Sequence, residues 1–269
     1  MKATEKLKNK NNDGKLICVG LDTDVNKIPE HLKKTANPVL EFNKAIIEST
    51  ASYTAAFKIN FAFYECEGID GMKNLERTLS LIPEDTMVIA DAKRGDIGNT
   101  SLMYAKSVFD YFKFDAVTVH GYMGKDSVEP FLRYDDKLIF ILALTSNPSA
   151  ADFEKLKTED GSFLFQNVIR KVNEWNGKNN CGIVFGATKT QELKDNIDSF
   201  GNLAVLLPGV GAQGGSLEEV VKTFKEKKRT DLLVNVSRGI IYKSRDIDFA
   251  EAAKQEIIAL NGTVRNIYG

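Results

Sequence analysis

Short runs of apolar, mostly β-branched or aromatic residues recur along the chain and predict buried β-strands. The stretches between several of these runs place apolar side chains three or four residues apart, which is typical of amphipathic helices. The predicted strands cover residues 16–21, 55–59, 87–90, 116–119, 138–144, 182–185, 203–207 and 232–236. The predicted helices cover residues 39–52, 71–80, 101–112, 163–176, 191–200 and 217–227.

The alternation of strands and helices predicts the fold class. Strands that alternate with helices form right-handed βαβ units and a parallel sheet. Eight repeats of this kind favour an α/β fold of the closed (β/α)₈ TIM-barrel type, with a doubly wound open sheet as the alternative. No linker rich in Pro, Gly or Ser divides the chain, so we expect one domain over residues 1–269 with a short polar extension at 1–14.

Charge and hydropathy narrow the classes of function. The chain has 269 residues, and 36 basic residues nearly balance 37 acidic ones. This balance argues against a nucleic-acid partner, because binding such polyanions depends on a basic surface.

The longest apolar run, residues 138–144, is far shorter than the roughly 20 residues that cross a membrane, and segment 1–14 lacks the apolar core of a secretory signal. We therefore expect a soluble, cytoplasmic protein with no membrane partner.

Few residues are available as metal ligands. Cys18, Cys66 and Cys181 are odd in number and far apart, which argues against a disulfide framework or a Cys-rich zinc site. Only His31 and His120 are present, so we expect no multi-histidine metal site. Acid-base chemistry in this chain must therefore depend on Lys, Asp and Glu.

A cluster of charged residues is predicted where the second and third strands end. The active site of a (β/α)₈ barrel forms at the carboxyl ends of its strands. Asp91 and Lys93 are two residues apart and share a face if the strand continues, while Lys58 lies on a neighbouring strand about 4.8 Å away. Together with Asp96, these alternating charges compensate one another in a sheltered site. A structural ion-pair network is the alternative interpretation of the same residues.

The glycine-rich turn at residues 209–214 predicts a phosphate site. It matches the G-x-G-x-x-G pattern, but a dinucleotide fingerprint should be followed by several strands, and only one remains here. In a barrel, the loops after the seventh and eighth strands are the usual phosphate site. Gln213 offers an amide donor there, and Arg238 a guanidinium that suits two phosphate oxygens. A purely structural turn is the alternative.

Residues 91–100, DAKRGDIGNT, resemble the active-site segment of the orotidine 5'-phosphate decarboxylase family, in a form found in one bacterial branch and similar to the parasite enzymes. The D-x-K-x-x-D core alone is shared with related sugar-phosphate enzymes, whereas the whole set of matches is specific. The supporting matches, in chain order, are GLD at 20–22, FKINFAFYE at 57–65, TSNP at 145–148, LPGVGAQGG at 207–215 and NVSRGIIY at 235–242.

The resemblance implies decarboxylation of orotidine 5'-monophosphate to uridine 5'-monophosphate and CO₂, the final step of pyrimidine nucleotide synthesis, with neither a metal nor a cofactor. By motif position, Asp91 would lie next to the departing carboxylate. Lys93 would donate the proton that replaces that carboxylate at C6. Asp22 and Lys58 would hold the ribose hydroxyls.

The resemblance also implies roles for residues on the later strands and on a second subunit. Ser146 would contact the pyrimidine. Asp96 and Thr100 would reach the ribose in the other subunit's site, which implies a homodimer with shared sites. The groups that would hold the phosphate are Gln213, Arg238 and the backbone around Ser237.

Two other functions compete with this interpretation. One is a magnesium-dependent sugar-phosphate decarboxylase or aldol-type synthase on the same barrel. The other is a catalytically silent barrel that binds nucleotides as a sensor, and the intact set of Lys58, Asp91, Lys93 and Asp96 argues against it.

Overall fold

The computed structural model describes residues 1–186, 190–210 and 215–268, and in these residues eight parallel strands close into a barrel. Each strand pairs with the next along the chain, and the eighth pairs with the first. The predicted (β/α)₈ fold is confirmed, and the open sheet is excluded. The strands are β1 (Ile17–Gly20), β2 (Ala56–Asn60), β3 (Met87–Arg94), β4 (Ala116–His120), β5 (Leu138–Leu144), β6 (Cys181–Phe185), β7 (Ala204–Leu207) and β8 (Leu232–Val236).

Helices surround this barrel, and some were not predicted from the apolar pattern. The short α6 contains Pro130, and the polar α1 carries few apolar side chains. None of the described helices is long and apolar enough to cross a bilayer. The helices are α1 (Ala3–Asn12), α2 (Pro38–Thr50), α3 (Ala62–Glu65), α4 (Gly68–Ser80), α5 (Gly98–Lys106), α6 (Lys125–Leu132), α7 (Leu164–Trp175), α8 (Thr190–Asn196), α9 (Leu217–Glu226), α10 (Arg238–Ile241) and α11 (Phe249–Tyr268).

The strands are apolar on both faces, which explains why they appear as continuous apolar runs. Alternate side chains such as Val19 and Ile59 pack between the barrel and its helices. The intervening side chains, among them Cys18, Ile89 and Leu206, form a second buried cluster inside the barrel. Continuous hydrophobicity is therefore the signature of a sheet that is covered on both sides.

The barrel interior changes from apolar to polar towards the carboxyl ends of the strands. On β2, Lys58 follows the interior residue Ala56 at a spacing of two, and on β3 Asp91 follows Ile89 in the same way. On β4 the corresponding residue is Thr118, which is buried. These side chains form a polar layer above an apolar floor.

Helix α1 covers the amino end of the barrel. Ala3 and Leu7 are buried and join the interior cluster. Lys6 Nζ donates to both carboxylate oxygens of Asp115 at 3.0 Å. The segment expected as a polar extension at residues 1–14 therefore contains a helix that closes this end of the barrel and separates the apolar floor from water.

We expect Leu7→Ala to lower the free energy of unfolding by about 2–4 kcal/mol, because it opens a cavity in the interior cluster. The matched control is Lys8→Ala on the exposed face of α1, which should change stability by less than about 0.5 kcal/mol. Urea denaturation followed by circular dichroism measures both. Equal stability of the two variants would contradict the assigned role of α1.

Candidate active site

The carboxylate of Asp91 lies at the centre of the charged cluster. Lys58 Nζ donates to Asp91 Oδ2 at 2.9 Å, and Lys93 Nζ donates to Asp91 Oδ1 at 2.5 Å. The hydroxyl of Thr118 also donates to Oδ1, at 2.9 Å. The side chains of Lys58 and Asp91 are 5% and 10% exposed, whereas that of Lys93 is 50% exposed. Of the two ammonium groups on Asp91, that of Lys93 is therefore the one accessible from the barrel mouth.

The pKa values of the buried pair reflect their mutual attraction. Burial alone would raise the pKa of the Asp91 carboxyl, but the ammonium groups of Lys58 and Lys93 outweigh it and hold this pKa well below its ordinary value. Burial alone would lower the pKa of Lys58, but Asp91 and Asp22 outweigh it and raise this pKa. The pair therefore stays charged at neutral pH, as buried charges do only when they are compensated.

Asp22 follows β1 and lies beside Lys58, with its Oδ1 atom 3.6 Å from Nζ. The hydroxyl of Tyr242 donates to the Asp22 carbonyl oxygen at 3.1 Å and so fixes the backbone here. Within the described residues, Asp22 Oδ1 and Asn235 Oδ1 are buried without a hydrogen-bond partner. The Oδ1 atoms of Asn11, Asn180 and Asn261 also have no such partner, but they lie away from the carboxyl ends of the strands. Because buried polar atoms nearly always have partners, Asp22 Oδ1 and Asn235 Oδ1, near the ends of β1 and β8, are the two at which a ligand donor would fit. Asn235 begins the matched segment at 235–242 but was given no role from the sequence, where it is one polar residue within an apolar strand.

Asp96 and Thr100 lie apart from this cluster. Asp96 is half-buried and accepts the backbone N–H of Ile97 through Oδ1 at 2.8 Å. Among the described residues it forms no ion pair with Lys93 within 4.0 Å. Thr100 is exposed on the first turn of α5. The fold therefore brings together Lys58, Asp91 and Lys93, and leaves these two side chains outside that cluster.

The loops after β7 and β8 form the region predicted to bind phosphate. Gly209 has a φ of +97°, which favours glycine, while Gln213 lies outside the described residues. The hydroxyl of Ser237 donates to the Gly20 carbonyl oxygen at 3.1 Å and so joins the loop to β1. Arg238 follows at the start of α10 with an exposed side chain. Its guanidinium is therefore accessible to an anion.

Ser146 is half-buried just after β5. Its loop is held by Glu154, which lies in the long connection between β5 and β6. Glu154 accepts the backbone N–H of Thr145 at 2.7 Å and the Thr145 hydroxyl at 2.8 Å. A Cβ at Gly186 would come within 3.0 Å of the Ser146 nitrogen, so the end of β6 packs closely on this loop. This contact could not be predicted from the sequence, because Glu154 is one of several acidic residues in the long connection between β5 and β6.

The described part of the chain contains no group of three or more His, Cys, Asp or Glu side chains that could hold a metal ion.

Comparisons with known proteins identify the family to which the chain is similar. Residues 15–255 match the family model described as "Orotidine 5'-phosphate decarboxylase / HUMPS family". An orotidine 5'-phosphate decarboxylase of Phocaeicola vulgatus is 50% identical over 243 residues, which is 89% of this chain and 89% of the relative. One from Flavobacterium johnsoniae is 48% identical over 254 residues, covering 93% and 92%. The structure of Leishmania donovani OMP decarboxylase superposes with a TM-score of 0.83 at 34% identity, covering 98% of this chain and all of that one.

We expect acid to reduce the stability difference between the wild-type protein and Asp91→Asn. The pKa of Asp91 is lower in the folded than in the unfolded chain, where it is about 3.9. Its ionisation therefore contributes stability above about pH 4, and this contribution is lost as pH falls towards the folded value.

Urea denaturation at pH 6, 4 and 3 measures this difference. Asp70→Asn removes the same charge from an exposed position on α4 and serves as the control. If the difference in free energy of unfolding between wild type and Asp91→Asn stays constant or widens in acid, the pKa of Asp91 is not lowered in the folded chain.

Proposed function

The chain belongs to the orotidine 5'-phosphate decarboxylase / HUMPS family, and we propose that it converts orotidine 5'-monophosphate into uridine 5'-monophosphate and CO₂, the final step of pyrimidine nucleotide synthesis. Relatives of 48–50% identity that carry this enzyme's name support the proposal. The observation that carries it is the arrangement of Lys58, Asp91 and Lys93, in which a buried ion pair holds a half-exposed ammonium group at the barrel mouth.

In the proposed reaction, Asp91 lies next to the carboxylate of the substrate. Asp91 is ionised because its pKa is held low, so two negative charges meet when the substrate binds. Their repulsion ends as CO₂ leaves, which favours the transition state over the bound substrate. Lys58 keeps the position of Asp91 fixed during this step.

Lys93 then acts on the reacting carbon. Breaking the C–C bond leaves an electron pair on C6, and the ammonium group of Lys93 stabilises this charge as it develops. Lys93 transfers a proton to C6, becomes a neutral amine and regains a proton from solvent. Its half-exposed side chain supports this role, since the group must reach the substrate.

The rest of the nucleotide is held by residues on other strands. Asp22 and Lys58 bind the ribose hydroxyls, and this assignment is supported by Asp22 Oδ1, which is buried without a hydrogen bond. Ser146 contacts the pyrimidine ring. Phosphate binding remote from the reacting carbon organises the charged site by closing loops around it. The groups proposed to hold the phosphate are Gln213, Ser237 and Arg238.

We propose that the active form is a homodimer in which Asp96 and Thr100 complete the partner's site. Neither side chain joins the cluster of its own chain. Ile97 and Met103 beside them are 58% and 46% exposed. Apolar groups exposed next to polar ones favour an interface.

We further propose that residues 1–269 act as a single domain in the cytoplasm, with no metal, no organic cofactor and no nucleic-acid or membrane partner. The proposed chemistry needs only an ammonium group at C6 and a carboxylate beside the leaving group. The magnesium-dependent alternative on the same barrel needs a metal ion for turnover, so the two proposals differ in their response to a chelator.

The test is ultraviolet absorbance of orotidine 5'-monophosphate, whose pyrimidine chromophore changes on decarboxylation. We expect turnover by the purified protein that is unchanged in excess EDTA. Loss of activity in EDTA would favour the magnesium-dependent alternative. Folded protein that binds nucleotide without turnover would favour the sensor.

We expect Lys93→Ala to lower kcat by at least about 10³-fold, because both the stabilising charge and the proton donor are lost. Binding of uridine 5'-monophosphate, followed by calorimetry, should remain measurable. Lys73→Ala on the exposed face of α4 is the control and should keep full activity. Near-normal turnover by Lys93→Ala would rule out the assigned role.

We expect Arg238→Ala to lower kcat/KM about 10- to 100-fold, mostly through KM, because a charge-assisted contact to phosphate is lost. The matched control is Arg170→Ala, on the exposed side of α7. The nucleoside orotidine, which lacks the phosphate, should react equally slowly with the wild-type protein and Arg238→Ala. An unchanged kcat/KM for the phosphorylated substrate would count against this phosphate site.

A further inference from the structure

Thr118 and His120 of β4 contact the segment from Asp91 to Asp96 but have no part in the proposed reaction. Thr118 and His120 are two residues apart, so they lie on the same face of the strand, towards the barrel mouth. We infer that both are positioning residues, which hold the segment from Asp91 to Asp96 in the shape that the reaction needs. This inference rests on the proposed function, because it assigns Asp91 and Lys93 their roles.

The hydroxyl of Thr118 forms hydrogen bonds with both Asp91 and Lys93. It donates to Asp91 Oδ1 at 2.9 Å and accepts the backbone N–H of Lys93 at 3.1 Å. A hydroxyl has one hydrogen to donate and lone pairs to accept, so one group makes both bonds. Thr118 is only 2% exposed, which limits competition from water. One buried hydroxyl therefore fixes both the carboxylate of Asp91 and the main chain of Lys93.

The backbone at Lys93 explains why such a contact is needed. Ala90 pairs with Val117 and Arg94 pairs with Val119, so residues 91–93 of β3 lie opposite the single residue Thr118. Lys93 itself has a φ of +45°, a left-handed conformation that costs roughly 1–2 kcal/mol in a residue with a side chain. This register shift is a β-bulge, and it takes Lys93 out of the regular hydrogen bonding between β3 and β4. The Thr118 hydroxyl accepts the Lys93 N–H instead.

His120 restrains the turn that follows. A Cβ at Gly95 would lie 2.5 Å from His120 Nε2 and 2.8 Å from Nδ1, closer than real Cβ contacts. The imidazole therefore packs directly on the α-carbon of Gly95. The φ of Gly95 lies outside the left-handed region, so glycine is needed here for space and not for conformation. His120 thus positions the turn between Lys93 and Asp96.

The first test compares Thr118→Val with Thr118→Ser. Valine keeps the shape of threonine but can neither donate nor accept, so we expect kcat to fall about 10- to 100-fold. The Kd of uridine 5'-monophosphate should stay within about threefold, because its proposed contacts lie elsewhere. Serine keeps the hydroxyl and should restore kcat to within about threefold of wild type.

The matched control is Thr54→Val. Thr54 is a buried threonine whose hydroxyl donates to the Thr50 carbonyl oxygen, away from the site. We expect Thr54→Val to lower Tm without changing kcat. The inference is overturned if Thr118→Val keeps kcat within twofold of wild type, or if serine fails to restore it.

The second test probes His120 and remains available if Thr118→Val does not fold. Gly95→Ala should lower kcat at least about tenfold, because the new methyl group displaces the imidazole, and His120→Ala alone should also lower kcat, because the turn then loses its restraint. Normal kcat in either variant overturns the role of His120. If the wild-type protein itself shows no decarboxylation, the proposed function fails, whereas active wild type with unaffected variants overturns only this inference.

Discussion

The buried ion pair between Lys58 and Asp91 is the interaction on which the site depends. Removing a charge from water costs several kcal/mol even after relaxation, and a buried pair is tolerated only when its remaining hydrogen-bonding groups are also satisfied. Asp91 meets this condition with three donors, and Asp22 adds a second negative charge near Lys58. The pair is therefore held rigidly at the top of the barrel interior, as a preorganised charged site requires.

The barrel provides different surroundings on the two sides of this pair. Below it, the interior cluster is apolar, and Leu7 of α1 closes the far end. Above it, polar side chains such as Lys93 reach the mouth. An apolar floor strengthens electrostatic interactions because few dipoles are present to screen them, while the open mouth admits a charged ligand. The same helix that stabilises the fold thus also keeps the base of the site dry.

Sequence predicted the features that depend on local pattern or on strand order. The bounds of β5 and β8 match the predicted runs, because both are continuous apolar segments. Lys58 and Asp91 could be placed together because neighbouring strands of a parallel barrel have a known spacing. By contrast, β3 continues to Arg94, beyond the predicted end at residue 90, because backbone pairing persists after the apolar residues stop.

The contacts that shape the reacting segment could not be predicted in this way. A regular strand would place Asp91 and Lys93 on one face, but the bulge opposite Thr118 changes the path between them. Thr118 lies 27 residues after Asp91 and appears in the sequence as one β-branched residue in an apolar strand. Its role depends on a register shift that no local pattern encodes. Asp96 is a separate case, since its proposed role requires a second chain.

These contacts also bear on how the charge of Asp91 survives the proposed reaction. Lys93 must leave Asp91 Oδ1 to reach the substrate carbon, and it becomes neutral when it gives up its proton. Asp91 then keeps Lys58 on Oδ2 and Thr118 on Oδ1, so both oxygens remain satisfied. The carboxylate can therefore stay ionised and in place while the cation beside it changes charge. A site with Lys93 as the only donor to Oδ1 would lose that restraint at the moment of proton transfer.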